Sequence, residues 1–243
     1  MTYSGKLIIS GKQVELYQYE TLVKTKSKRK KKKIVKRRTK EEIEKQIKQS
    51  EEGNFQMEVI RHYSLRRTRS RITRLINTNE DIRTFITLTF KDNIADLQEA
   101  NIIFKRFILR LKYLYPDLKY LAVPEFQKRG AVHYHVLINI NYIENLKLAE
   151  IWEQGFVKIN KVKHINNLGL YISKYICKDL FDIRYFGMRK VLCSRKLDQP
   201  TVFTGSKDIM NFLQKDDLDL ILEKEYNSDW LGKINYSLFK WKQ

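Results

Sequence analysis

Two histidines alternate with a tyrosine in GAVHYHVLIN, residues 130–139. This apolar stretch is typical of a β-strand, in which successive side chains point to opposite faces. His133 and His135 are therefore predicted to share one face, and Tyr134 to lie in the core on the other. Two neighbouring imidazoles can hold one metal ion. The alternative interpretation is two ordinary polar side chains that face solvent or are hydrogen-bonded in a cleft.

A carboxylate could complete such a site. KYLAVPEFQ, residues 119–127, is predicted to form a second strand, joined to the first by the short turn KRG. The resulting hairpin would bring Glu125 beside the histidines and provide two nitrogen ligands and one oxygen ligand. Pro124 lacks a backbone N–H, so the sequence predicts an edge or a bulge in this strand.

A second reactive group is predicted in YISKYICK, residues 171–178. Residues three and four apart share one face of a helix, and that face would carry Tyr171, Lys174, Tyr175 and Lys178. A phenolate can attack a phosphodiester, and a neighbouring ammonium can neutralise phosphate charge. Ordinary amphipathic packing is the alternative. Three apolar residues on an adjacent face are expected to anchor the helix: Leu168, Ile172 and Ile176.

Helices and strands alternate along the part of the sequence that must position these residues. TFITLTF (84–90) and FVKINKV (156–162) are predicted strands. Apolar periodicity predicts helices over 62–79, ending near Asn77, over 96–114, and in ENLKLAEIWEQG and NNLGLYISKYICKDLF. The order predicts an α+β fold with a central, largely antiparallel sheet flanked by helices.

Positive charge is distributed unevenly along the chain. Of the net charge of +20, most lies in residues 1–80, where 22 basic residues face 9 acidic ones. The run KTKSKRKKKKIVKRRTK, residues 24–40, cannot collapse into a core. We therefore predict a basic, partly flexible N-terminal extension over 1–56, a main domain over 57–205 and a C-terminal extension over 206–243. The C-terminal extension contains Trp230, Phe239 and Trp241, for which only packing or partner docking is predicted.

So strong a positive charge favours a polyanionic partner, and nucleic acid in particular. The cationic side chains predicted to contact DNA are Arg66, Arg67 and Arg71 of the first helix, Lys128 and Arg129 of the hairpin turn, and Lys178. Each could instead be an ordinary solvated charge. The two cysteines fit a reducing compartment, and neither a signal peptide nor a membrane-spanning run is recognisable. We therefore expect a cytoplasmic protein with no membrane association.

Taken in order, FITLTF, HYHVLIN and YISKYICK resemble the three motifs of HUH endonucleases, specifically the rolling-circle replication initiators of small phages and plasmids. LINTN before the first strand and SRKLDQP at 194–200 look like flanking signatures of the phage-type branch. The resemblance covers about residues 60–205 and makes the main domain an HUH endonuclease domain.

The resemblance implies roles for individual residues. His133, His135 and Glu125 would bind Mg²⁺ or Mn²⁺, and Tyr171 and Tyr175 would be nucleophiles. The catalytic Lys174 would orient the phosphate or a water.

The family's reaction implies a nick in single-stranded origin DNA, with a 5′-phosphotyrosine link and a free 3′-OH as products and later strand rejoining. No GxxxxGK[ST] motif is present, so unwinding would fall to a helicase of the bacterial host and synthesis to its DNA polymerase. A transposase or mobilisation relaxase, and a non-catalytic nucleic-acid-binding protein, remain the alternatives.

Overall fold

The computed structural model describes residues 2–24, 54–162, 168–177, 185, 188–214 and 217–242. The basic run, apart from Lys24, lies outside the described residues. The chain forms two compact units: a terminal unit of Met1–Lys36 with Asp198–Gln243, and a central unit of Arg37–Leu197. Among the described residues, no helix has the length and apolar character needed to cross a membrane.

The terminal unit is an antiparallel sheet with one short helix. Its elements are β1 (Thr2–Ser10), β2 (Gln13–Lys24), β8 (Thr201–Phe203), α5 (Ser206–Leu213), β9 (Leu218–Ser228) and β10 (Gly232–Trp241). The strand order is β8-β1-β2-β10-β9. Its core consists of Leu7, Val14, Leu16 and Ile209, with Phe239 and Trp241 among the residues packed against it.

The domain boundaries predicted from the sequence differ from these units. Residues 2–24, assigned to a basic extension, form the β1–β2 hairpin. Strand β2 then pairs with β10, which comes from the predicted C-terminal extension. The physical reason is apolar alternation: Leu7, Val14 and Leu16 are buried on one sheet face, and the density of positive charge begins only after Lys24.

The central unit confirms the predicted α+β class and the order of its elements. They are α1 (Asn54–Thr78), β3 (Thr84–Thr89), α2 (Leu97–Leu114), β4 (Tyr120–Phe126), β5 (Val132–Ile138), α3 (Asn145–Trp152), β6 (Val157–Lys161), α4 (Leu168–Cys177) and β7 (Leu192–Cys193). The strand order is β6-β3-β5-β4-β7, and every pairing is antiparallel. The strand that carries the histidines, β5, is therefore central.

Helices cover both faces of this sheet. One face packs against α2 and α3 in a core that includes Ile86, Phe104, Phe107, Tyr134 and Trp152. The other face packs against α1 and α4 in a second core that includes Ile72, Leu75, Phe85, Leu137 and Ile172. The helices therefore also cover the face of β5 that carries the histidines, at positions other than the histidines themselves. The alternation with polar residues in the sequence had suggested that this face is the less apolar one.

Helix α2 begins where the sequence predicts. The Asp96 carboxylate accepts hydrogen bonds from the backbone N–H groups of Gln98 (2.6 Å) and Glu99 (3.2 Å), which satisfies two donors that the first helical turn leaves unpaired. Its buried residues are Leu97, Ala100, Phe104, Phe107, Ile108 and Leu111. Leu114, which the periodicity predicts on the same stripe, is exposed. Helix α1 ends at Thr78, one residue after the predicted end.

Pro124 does not introduce a bulge. The pairing of β4 with β5 runs without a register shift through Pro124 opposite Tyr134 and Glu125 opposite His133. On the other side of β4, β7 pairs only with Leu121 and Ala122. The Pro124 carbonyl there accepts a hydrogen bond of 2.9 Å from the Tyr185 hydroxyl. The proline therefore lies where β4 is locally an edge, which needs no ladder donor.

Helices α1 and α4 approach closely at a glycine. A Cβ atom added to Gly169 would lie 2.7 Å from the Thr73 carbonyl oxygen and 2.8 Å from its Cα. One turn further along, Arg69 Nε donates a 3.0 Å hydrogen bond to the hydroxyl of the buried Ser173. The Ser173 hydroxyl itself donates to the Leu170 carbonyl. Helix α1 therefore fixes the position of α4.

We predict that Gly169→Ala lowers the stability of the central unit by about 1–3 kcal/mol, because the added methyl group meets backbone atoms that cannot turn away. The melting temperature, measured by circular dichroism, should fall by several degrees. Gly5→Ala in the terminal unit is the control, since its Cβ would meet the movable Ile209 Cδ1 at 3.2 Å and the Tyr17 carbonyl oxygen at an ordinary contact distance of 3.8 Å. Equal melting temperatures for the wild type and Gly169→Ala would contradict the close packing.

Candidate metal centre

Three side chains from β4 and β5 converge on one point. His133 Nε2 lies 3.1 Å and His135 Nε2 2.8 Å from the same Glu125 oxygen, Oε2. One potential ligand atom of each residue lies within 4.8 Å of the others. The register explains this convergence, because Glu125 lies directly opposite His133 and His135 lies two residues further along the same face.

His135 is held from a third strand. Thr87 on β3 lies opposite His135 in the sheet, and its Oγ1 is 3.3 Å from His135 Nδ1. If His135 Nε2 held a metal ion, Nδ1 would carry the proton and donate a hydrogen bond to the threonine hydroxyl. Such a partner orients a ligating imidazole.

An aromatic side chain connects the triad to α4. The ring of Phe85 on β3 stacks on the His135 imidazole, with centroids 5.6 Å apart and planes 22° apart. The same ring contacts the edge of Tyr171 on α4, with centroids at 6.2 Å. Phe85 is buried, so this chain of rings is part of the core. The helix that carries the predicted nucleophiles therefore packs directly beside the triad.

The surroundings of Glu125 favour its ionised form. Burial favours the neutral carboxyl, but hydrogen bonds from His133 and His135, together with their charge, outweigh burial and hold the pKa of Glu125 well below its usual range. A carboxylate flanked by two imidazoles fits a divalent cation, because such ions bind deprotonated oxygen and neutral nitrogen ligands. His133 is the most accessible of the three, with 15% of its side chain exposed.

Tyr134, between the two histidines, is a packing residue as predicted. Its ring stacks on Phe104 with centroids 4.4 Å apart, and its hydroxyl donates a 2.9 Å hydrogen bond to Asn101 Oδ1. Burial, with a smaller contribution from Tyr185, raises the pKa of Tyr134 far above its usual value. This phenol therefore stays neutral.

The predicted helix at 171–178 is present as α4, which ends at Cys177. Tyr171 is half-buried and packs against the core beneath α4. Lys174 and Tyr175 lie on the helical backbone, and Lys178 lies outside the described residues. The roles assigned to these four residues stay predictions.

The predicted DNA-contacting cations lie in two places. Arg66, Arg67 and Arg71 are exposed on α1. At the hairpin turn Lys128 is exposed, whereas Arg129 Nη2 donates a 2.6 Å hydrogen bond to the Phe90 carbonyl. Arg129 therefore ties the turn to the end of β3, a structural role that the sequence did not indicate. Their contacts with DNA stay predictions.

Three residues that support the triad or the helix were not recognised in the sequence: Phe85, Thr87 and Arg69. Alternation along TFITLTF places Phe85 and Thr87 on one face. That pattern could have identified them only if the pairing of β3 with β5 were known. Arg69 was indistinguishable from its exposed neighbours, because the signal that selects it is the buried Ser173 on another helix.

Comparison with known proteins supports the resemblance. Residues 83–180 match the family model of the replication-associated proteins of the ORF2 type. The matched segment runs from the residue before β3 past the end of α4 and contains the whole Glu125–His133–His135 triad. No curated protein and no solved structure shows a significant match to the chain.

Residues 83–180 are therefore similar to replication-associated proteins, and they contain a group of side chains that could hold a metal ion. This confirms the resemblance to rolling-circle replication initiators that the three motifs predicted.

We predict that Thr87→Val weakens binding of a divalent ion by roughly 10–100-fold, because it removes the hydrogen-bond partner of His135 Nδ1 without changing side-chain size much. Titration with Mn²⁺ followed by electron paramagnetic resonance would measure the affinity. Thr84→Val is the matched control, since its hydroxyl, on the same strand, bonds the Ile140 carbonyl instead. An unchanged Mn²⁺ affinity in Thr87→Val would show that the threonine does not position a metal ligand.

Proposed function

We propose that this protein is a replication initiator that nicks single-stranded origin DNA through a tyrosine nucleophile and later rejoins the strands. One observation carries the proposal: the triad and α4 lie next to each other, linked by Phe85 between His135 and Tyr171. The match of the same segment to replication-associated proteins supports it.

In the proposed reaction, the phenolic oxygen of Tyr171 or Tyr175 loses its proton to water and attacks the phosphorus of one phosphodiester. A bond forms between the tyrosine oxygen and phosphorus, and the bond from phosphorus to the 3′ oxygen breaks. The leaving oxygen takes a proton and becomes a free 3′-OH, while the 5′ phosphate stays on the protein. Lys174 would neutralise charge on the phosphate.

Glu125, His133 and His135 would hold Mg²⁺ or Mn²⁺. When bound, such an ion polarises the scissile phosphate and offsets the negative charge that develops on it. The chain's own contribution is to fix the ligands: the β4–β5 register sets the carboxylate against His133, and Thr87 orients His135. A phosphate would approach the triad from the side on which His133 is partly exposed.

The link between DNA and protein conserves the energy of the phosphodiester, so a 3′-OH can attack it, expel the tyrosine and restore a continuous strand. Two tyrosines would allow a second cleavage while the first link is intact. The free 3′-OH would prime a host DNA polymerase, and a host helicase would separate the strands, which places the reaction in the cytoplasm of a bacterial host.

Single-stranded DNA is the proposed substrate, because the scissile phosphate must reach a site between a sheet and a helix. The exposed Arg66, Arg67 and Arg71 of α1, with Lys128 at the hairpin turn, would bind its backbone phosphates. Binding through such contacts weakens steeply as salt is added.

The direct test is a covalent adduct. The protein is incubated with Mn²⁺ and labelled single strands that tile the DNA flanking its gene, and adducts are separated on a denaturing gel. We expect an adduct with the wild type, a reduced amount with Tyr171→Phe or Tyr175→Phe, and none with the double variant. Tyr113→Phe, which alters an exposed tyrosine on α2, is the control and should leave the adduct unchanged.

An adduct that persists in the double variant would overturn the assignment of the nucleophiles. Complete absence of an adduct with any strand or divalent ion would favour the non-catalytic binding protein. Cleavage confined to the ends of a mobile element, with none at a replication origin, would favour the transposase.

We further predict that His133→Ala and His135→Ala abolish the adduct while leaving affinity for single-stranded DNA within about twofold, because the cations that bind the backbone lie elsewhere. Fluorescence anisotropy with a labelled strand would measure the affinity. Joint loss of DNA binding and the adduct, with loss of the folded circular dichroism spectrum, would assign the histidines a structural role.

A further inference from the structure

Strand β9 forms one edge of the sheet in the terminal unit. It pairs with β10 and is the last strand in the order, so among the described strands its outer backbone edge has no neighbour. Residues 219–227 are all exposed. Such an edge presents a row of N–H and C=O groups that can pair with another extended chain.

The two faces of β9 differ in character. The register against β10 places Glu223 and Glu225 on one face, opposite Ser237 and Asn235. The other face presents Leu222, Lys224 and Tyr226. Leu222 is 37% and Tyr226 45% exposed, and Trp230, in the turn that follows the strand, is 88% exposed. Phe239 and Trp241 pack against the core of this unit. Packing therefore explains these two aromatic residues but not Trp230.

The charge of this edge is opposite to that of the chain. Residues 217–229 contain five carboxylates and one lysine, whereas the whole chain carries +20. The carboxylates are Asp217, Asp219, Glu223, Glu225 and Asp229, of which Glu225 forms an ion pair of 2.7 Å with Lys233 on β10. Nucleic acid would be repelled here, and a positively charged peptide would be attracted. The edge is therefore suited to a protein partner and not to DNA.

We propose that β9 docks an extended, basic segment of a partner protein as an additional strand of the sheet. Residues directly opposite across a strand pair lie on the same face, so the partner needs basic side chains against Glu223 and Glu225 and apolar ones against Leu222 and Tyr226. The required order is apolar, basic, any, basic, apolar. This order reads the same in both directions, so it suits either a parallel or an antiparallel partner.

A second copy of the same strand fits this edge poorly in the register centred on Glu223. Antiparallel self-pairing about a two-fold axis at Glu223 would place that carboxylate against itself, and like charges directly opposite destabilise a strand pair. The register shift at Leu238/Phe239 leaves Ile221 without a partner on β10, so the regular part of the edge runs from Leu222 to Ser228. The edge therefore favours a strand whose basic and apolar side chains complement those of β9.

The test uses the intact protein and two capped peptides of identical composition, TVKTKVT and TKVTVKT. The first has the required pattern, and the second exchanges the positions of lysine and valine. We expect TVKTKVT to slow amide hydrogen exchange within 218–228, measured by mass spectrometry, and to bind at least about tenfold more tightly than TKVTVKT. Glu223→Lys should weaken binding of TVKTKVT several-fold, because it replaces attraction by repulsion.

Glu150→Lys, which makes the same charge change at an exposed site on α3, is the control and should bind TVKTKVT like the wild type. The proposal is overturned by equal binding of the two peptides, by protection that falls outside 218–228, or by no protection at millimolar peptide. Protection of 218–228 that grows with protein concentration alone would identify a second copy as the occupant and overturn it as well. Because Glu223→Lys should leave the DNA adduct unchanged, failure here is distinguishable from failure of the proposed function.

Discussion

The antiparallel register of β4 and β5 is the constraint on which the site depends. It places Glu125 directly opposite His133, so one carboxylate oxygen lies within hydrogen-bonding distance of two imidazoles. A slip of one residue would turn every β4 side chain to the other face and separate the carboxylate from the histidines. The alternation that fixes this register also buries Tyr134 on the opposite face, where the α2 core holds it. The packing of Tyr134 on one face of β5 thus helps to hold the histidines in place on the other face.

Helix α4, which carries the proposed nucleophiles, depends on a second constraint, the close approach of α1 and α4. Gly169 permits backbone contact with Thr73, and the hydrogen bond between Arg69 and Ser173 fixes the rotation of α4. Phe85 then contacts both the triad and this helix. The basic helix α1 consequently has two uses: its inner face positions α4, and its exposed arginines are the proposed contacts to DNA.

Much of this arrangement could be predicted from the sequence because it is local. Periodicity located the strands and helices of the central unit, and a short turn specified the hairpin that brings Glu125 to the histidines. The pairing of β3 with β5 joins residues about fifty positions apart, so Thr87 and Phe85 could not be recognised as supports of His135. The apolar alternation of the β1–β2 hairpin is local and could have been recognised, but β2 pairs with β10, more than two hundred residues away, and no local pattern reports such a pairing.

If α4 supplies the nucleophile beside the triad, the DNA becomes attached to a tyrosine of this helix, and the attachment point can be located after digestion. Trypsin cleavage after Lys163, Lys174 and Lys178 separates the two tyrosines into peptides 164–174 and 175–178. Mass spectrometry of the digested adduct should then find a nucleotide on Tyr171 or Tyr175. A nucleotide on a peptide from any other part of the chain would show that α4 does not carry the nucleophile.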